Sequence, residues 1–155
     1  MTQLELNAPR GVSATVLTYG TFDLFHIGHL RLIERLQALG DRLIIGVSSD
    51  EFNASKGKKA VIPYADRAAI VAAIQGVDLV FAEESWDQKL ADIRKYGTDI
   101  FAMGDDWLGK FDFLRPHCQV VYLSRTEGVS TTTIRGQLIP RTSAKPVSQP
   151  DSSQA

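Results

Sequence analysis

Residues 14–39 read ATVLTY, GTFDLFHIGH and LRLIERLQAL in succession: a short apolar run, a ten-residue loop and a helix-period stretch. Ala14–Tyr19 is brief and rich in β-formers, as expected of a strand buried on both faces. Leu30–Leu39 spaces its leucines and isoleucine along one helical face. Both patterns recur down the chain. Leu43–Val47, Leu79–Ala82, Ile100–Met103 and Gln119–Leu123 repeat the short apolar run, and Tyr64–Ile74, Trp86–Tyr96 and Thr132–Leu138 are amphipathic. Gly40, Gly76 and Gly97 each follow a helical run, where a left-handed cap is expected. Strand and helix alternating at this spacing predict βαβ units: an α/β, Rossmann-like open parallel five-stranded sheet with four or five helices on its two faces. Ligands of such sheets bind beyond the carboxyl ends of the strands, so the loops that follow strands should hold the chemistry.

The rest of the chain sets bounds on that reading. With 155 residues, 44% of them hydrophobic, it can bury one sizeable core, expected over 14–139. Residues 1–13 read as a loose lead-in and 140–155 as a Pro/Ser-rich disordered tail. A formal net charge of -1 gives non-specific nucleic-acid binding no support. Cys118 stands alone, which excludes a disulfide framework and a C-x-x-C knuckle, and in its apolar setting it reads as an inert core thiol. The opening MTQLELNAPRG lacks a secretory pattern and no apolar run is long enough to cross a membrane, so a cytoplasmic location is expected.

In the loop after the first strand, a helix start offers free N–H groups and a positive dipole end, which suit phosphate. His26 and His29 lie three apart and project on one side of the first turn. Two imidazoles there can donate hydrogen bonds to a phosphorus centre as negative charge grows on it. The same pair could simply cap the helix, or form half of a metal site, although His117 and Cys118 lack matching spacing. The later loops add anion chemistry. Lys56, Lys58 and Lys59 surround Gly57, and Arg67 opens the next helix with a guanidinium fork. Asp105 and Asp106 follow Gly104 and could cap a turn, accept a base amino group or order Mg²⁺. Trp86 and Trp107 could stack on a base or belong to the core. Arg125 precedes Ser130, Thr131 and Thr132, which could cap a helix or cradle a phosphate.

Taken together, TYGTFDLFHIGH, KGKK, YADR, SWDQK, MGDDWLGKFDFL and RTEGVSTT resemble the cytidylyltransferase family of the H-x-G-H nucleotidyltransferases. The resemblance spans roughly Thr15 to Arg135, and MGDDWLGKFDFL leans toward the members that use glycerol 3-phosphate. It implies transfer of CMP from CTP to sn-glycerol 3-phosphate with release of pyrophosphate, Mg²⁺ as cofactor and a homodimer. The CDP-glycerol formed would feed a teichoic acid, a capsule or another cell-surface polymer. By matching motif positions, the resemblance makes His26, His29, Lys56 and Arg125 catalytic. It assigns Thr21, Phe22, Asp106, Arg125, Thr126 and Ser130–Thr132 to CTP, together with the histidines, and Asp23, Lys56, Lys58 and Arg67 to the acceptor. One position departs from the family pattern. Gln75 precedes Gly76-Val77-Asp78 where an arginine is common.

Three rival readings remain open: a related transferase for phosphocholine, ethanolamine phosphate or FMN, a synthetase fragment, and a nucleotide sensor without catalysis. A synthetase fragment is disfavoured by the lack of a KMSKS-like loop. A sensor would bind CTP and release no pyrophosphate with any phospho-alcohol.

Overall fold

A computed structural model describes residues 13–125 and 130–138. Residues 1–12 of the lead-in, the whole of the tail (140–155) and Thr126 therefore lie outside the described residues. Five strands form one parallel sheet: β1 (Thr15–Gly20), β2 (Arg42–Ser48), β3 (Leu79–Glu83), β4 (Ile100–Gly104) and β5 (Gln119–Leu123). The helices are α1 (Ile27–Gln37), α2 (Asp50–Ser55), α3 (Tyr64–Ala72), α4 (Lys89–Lys95) and α5 (Thr131–Leu138), with short 3₁₀ turns at Asp105–Trp107 and Asp112–Leu114. Strand order is β3-β2-β1-β4-β5, so the chain leaves β1 toward one side and later returns to β4 on the other. That reversal opens a crevice at the carboxyl ends of β1 and β4, the place where ligands bind in open α/β sheets.

Strand residues alternate between two cores because successive side chains point to opposite faces. Val16, Ile45, Ala102 and Val121 pack with Ile33 and Leu36 of α1 and Val71 of α3. Leu17, Ile44, Phe101 and Val120 pack on the other face with Ile93 of α4, Phe111 and Leu114. Ile33 and Leu36 are fully buried. Truncating either to alanine would cost about 2–5 kcal/mol through lost transfer energy and a cavity.

Glycine does different jobs after the different helices. Gly97, at φ 58°, completes a Schellman cap on α4: Thr98 N–H donates to Ile93 O (3.0 Å) and Gly97 N–H to Arg94 O (3.3 Å). Gly76 is also left-handed, at φ 88°. Gly40 departs from the expectation. α1 is capped by Ala38, and a Cβ at Gly40 would stand 2.6 Å from Ala14 O, so close backbone approach is its reason. The sequence also concealed α2, because SSDEFNAS reads as a polar loop. Ser49 caps it by accepting from Phe52 N–H (3.0 Å), and only Phe52 and Asn53 are buried.

Candidate active site

The loop from β1 to α1 is held in an unusual backbone path. Phe22 (φ 54°) and Leu24 (φ 49°) are both left-handed without being glycine, a sparsely populated state tolerated where surrounding contacts enforce it. His26 is the N-cap of α1 (φ -137°, ψ 177°). Its Nδ1 accepts from Gly28 N–H at 3.0 Å, and Nδ1 of His29 accepts in return from His26 N–H at 3.1 Å. Two histidines thus build a reciprocal capping box of the kind usually made by Ser/Thr and Glu/Gln. With both Nδ1 atoms accepting, each neutral ring carries its proton on Nε2. Capping and chemistry, which the sequence left as alternatives, are two ends of the same rings.

Electrostatics agree with neutral rings. Burial lowers the pKa of His26, and burial together with His26 pushes His29 down to about 4. The ring centroids lie 3.9 Å apart, and Nε2 of His26 is 3.4 Å from the Thr131 hydroxyl. The pair therefore offers two oriented neutral donors, which suits stabilisation of developing negative charge.

Two residues expected at the acceptor are instead used up in holding the loops. Arg67 is 1% exposed and donates to Ile62 O, Thr21 O, Ser48 O and Asp50 Oδ1 at 2.7–2.8 Å. Four of its five N–H donors are spent on protein atoms, so it ties the β1 and β2 loops to α3. Asp23 is 3% exposed and accepts from Val61 N–H, Ile62 N–H and Arg135 (2.5 Å). Burial alone would raise its pKa; the Ile62 and Val61 amides and Arg135 outweigh that and lower it. Phe22 is likewise a core residue, 5% exposed, with its ring 5.5 Å from that of His29.

Three cavities meet at this edge. One of about 290 Å³ is lined by His26, His29, Asp106, Arg125 and Ser130–Thr132, with Gly104, Leu123, Ser124 and Arg35 behind them. Across its mouth Arg125 Nε donates to Asp106 Oδ2 (3.0 Å), and Ser130 Oγ accepts from Thr133 N–H to cap α5. A second, of about 140 Å³, lies over β1, β2 and β3 and includes Thr21, Lys56, Lys58, Trp86, Lys89 and Trp107. The third, about 540 Å³, shares His29, Asp106, Arg125, Thr131 and Thr132 with the first and Thr21 and Lys58 with the second. Both tryptophans line the second cavity, their rings 5.5 Å apart, and neither lines the first.

The second cavity also contains groups to which the sequence alone gave no role. Lys89 and Glu83 form an ion pair of 2.7 Å with side chains 2% and 5% exposed. Ser48 Oγ donates to the other Glu83 oxygen (2.7 Å), and the Lys89 ammonium lies 4.6 Å from the Tyr19 ring centroid and 5.0 Å from that of Trp86. Tyr19 donates to Asp92 (2.7 Å), and burial followed by Asp92 pushes its phenol well up. Lys56 sits over Phe52 (4.2 Å), with burial lowering its pKa. In sequence Lys89 looks like any solvated helix cation, although it closes the SWDQK stretch that carries part of the family resemblance. Gln75 is remote from all three cavities. It precedes the amino end of β3, where its carbonyl accepts from Gln37 Nε2 (2.6 Å), so the departure there touches no candidate ligand contact. Cys118 is half-buried, and burial raises its pKa, in keeping with an inert thiol.

A cytidylyltransferase-like family model matches residues 17–137. The chain is 54% identical over 120 residues to a glycerol-3-phosphate cytidylyltransferase of Bacillus spizizenii, covering 77% of this chain and 93% of that one. It is 50% identical over 123 residues to the enzyme of the same name from Staphylococcus aureus, covering 79% and 93%. Among solved structures, a lipopolysaccharide core biosynthesis protein from Thermoplasma volcanium superposes with a TM-score of 0.65 at 22% identity. That match covers 75% of this chain and all of the other, a likeness of fold alone.

Proposed function

We propose, from the premise that the chain belongs to the cytidylyltransferase-like family, that it transfers CMP from CTP to sn-glycerol 3-phosphate, giving CDP-glycerol and pyrophosphate. The observation that carries this is the third cavity linking the other two, through His29 to the first and through Thr21 and Lys58 to the second. A nucleotidyl transfer needs three compartments around one phosphorus: nucleoside, acceptor and departing pyrophosphate. The nucleoside fits the cavity behind the histidines. Neutral Nε2–H donors of His26 and His29 stabilise charge on the α-phosphate, while the acceptor phosphate attacks as an anion and requires no strong general base. Thr131 and Thr132 supply hydroxyls, and Arg125 turns from Asp106 toward the phosphates.

The small cavity around Lys89 favours the acceptor chosen. Its volume of about 140 Å³ suits a three-carbon polyol. A buried ammonium on its wall offers donors to hydroxyl oxygens, whereas a choline or ethanolamine head group would bring a second cation against it. Lys56 and Lys58 would steer the phosphate end. Mg²⁺ fits as a metal carried on the nucleotide. Among the described residues no three His, Cys, Asp or Glu gather into a metal cage. Mg²⁺ commonly binds through one or two carboxylates, phosphates and water. Asp106 would be the chain's share, and the metal would neutralise charge on the leaving group. We further take the protein to act as a homodimer supplying a cell-surface polymer. Among the described residues no helix is long and apolar enough to cross a membrane.

A pyrophosphate-release screen tests the reading: CTP and ATP, each against glycerol 3-phosphate, phosphocholine, ethanolamine phosphate and FMN. Turnover of CTP with glycerol 3-phosphate well above the other pairs is expected. No pyrophosphate from that pair would overturn the proposal.

A further inference from the structure

Two buried side-chain donors without a partner belong to residues that line the same cavity. Nδ2 of Asn53, on a residue 1% exposed, and Nε of Arg135 have no hydrogen-bond partner among the described residues. Both residues line the cavity of about 540 Å³ that runs from His29 past Lys58 and Lys59. A buried donor left unmade is costly, and native structures keep few of them.

Each donor is held in place by the protein through its other atoms. The Oδ1 of Asn53 accepts from the Thr21 hydroxyl (3.2 Å), which fixes the amide plane. One terminal nitrogen of Arg135 donates both to Asp23 (2.5 Å) and to Lys59 O (3.0 Å), and Asp23 is in turn fixed by the amides of Val61 and Ile62. Asn53 comes from α2 and Arg135 from α5, on opposite sides of the β1 loop. Fixed donors from two elements, with Lys58 and Lys59 beside them, describe a receptor for a multiply charged anion rich in acceptor oxygens.

We infer that Asn53 and Arg135 grip the distal phosphates of the nucleotide, the part that leaves as pyrophosphate. The inference rests on the CTP reading above and assigns it two binding residues. In the transfer, a bond forms from the acceptor phosphate oxygen to the α-phosphorus as the bond from that phosphorus to the bridging oxygen breaks. The electron pair departs with pyrophosphate. Donors held at the distal phosphates meet charge that increases through this step. They line the cavity that shares His29 with the first and Thr21 and Lys58 with the cavity of Lys89.

The test compares ligands with and without distal phosphates. Asn53→Asp preserves volume and the acceptor for Thr21 but replaces the free donor with negative charge. Arg135→Lys keeps a cation near Asp23 and removes Nε. Calorimetry would measure CTP, CMP and inorganic pyrophosphate binding to the full chain, with thermal melts run alongside. For Asn53→Asp, affinity for CTP and for pyrophosphate should fall about tenfold or more, the worth of one hydrogen bond to a charged group. CMP affinity should stay within about twofold, since CMP lacks the groups addressed. Arg135→Lys should show the same pattern more weakly. Equal losses for CTP and CMP, or none for CTP, would overturn the inference. Should the unaltered protein bind no CTP, the nucleotide reading fails instead, and the pyrophosphate titration alone then decides the role of the two donors.

Discussion

The cavity at the histidine pair and the cavity at Lys89 open on the same edge of the sheet, yet they prepare for anionic chemistry in opposite ways. At the first, His26 and His29 are kept neutral, and backbone N–H groups two and three residues apart orient them. At the second, a charged pair is buried, with Lys89 on α4, Glu83 closing β3 and Ser48 closing β2. The first arrangement is local and costs little desolvation. The second joins three elements, and either charge alone would be expensive. The first is suited to charge that appears during reaction, and the second to recognising a substrate already present.

The largest effect should come from breaking the buried pair. Lys89→Met leaves Glu83 as an uncompensated carboxylate and is expected to cost about 3–5 kcal/mol, read as a lower urea midpoint. Adding Glu83→Gln should recover most of that stability while KM for glycerol 3-phosphate stays raised. Recovery of KM together with stability would confine Lys89 to a role in the fold.

The histidine pair should fail differently. His26→Asn keeps an oxygen able to cap α1 and lacks the Nε2–H donor. Its kcat should fall about 10²–10³-fold, with CTP affinity within a few-fold and the melting temperature nearly unchanged. His26→Ala adds loss of the cap, about 1 kcal/mol of stability. Full activity in the asparagine variant would remove His26 from the chemistry.

The smallest effect is a titration. His29 is held near 4 by burial and by His26, whereas an unfolded histidine titrates near 6.5. Between those values the unfolded chain binds more protons than the folded one. Stability from a neutral His29 is therefore complete above about pH 6.5 and is lost as pH falls toward about 4. NMR titration of the His29 ring should give a midpoint near the lower value. A midpoint at or above about 7 would leave half or more of the rings cationic at neutral pH and sink the neutral-donor account.

Much of this arrangement was legible in the sequence because it is local. The period-2 and period-3.6 patterns of 14–39 gave a strand and a helix, and the loop between them named both histidines. Where a residue's role depends on what lies tens of residues away, the sequence misled. Asp23 looked like a ligand contact and is instead bonded to Val61, Ile62 and Arg135. Arg67 looked like a free guanidinium and is a strut. Short helix α2 escaped notice because only two of its side chains are buried.

The sequence by itself determined the parallel α/β fold, the strand-following loops that line the cavities, and the paired imidazoles at a helix start. These depend on contacts within a few residues, where spacing dictates geometry. Only the tertiary structure decided which cations are spent inside the protein and which face a cavity. It also placed Trp86, Trp107 and Lys89 together over β1 and β2, and left Asn53 and Arg135 with a donor each to give. The reason is physical: hydrogen bonds are satisfied pairwise in space, and a side chain's remaining capacity is known only once its distant partners are counted.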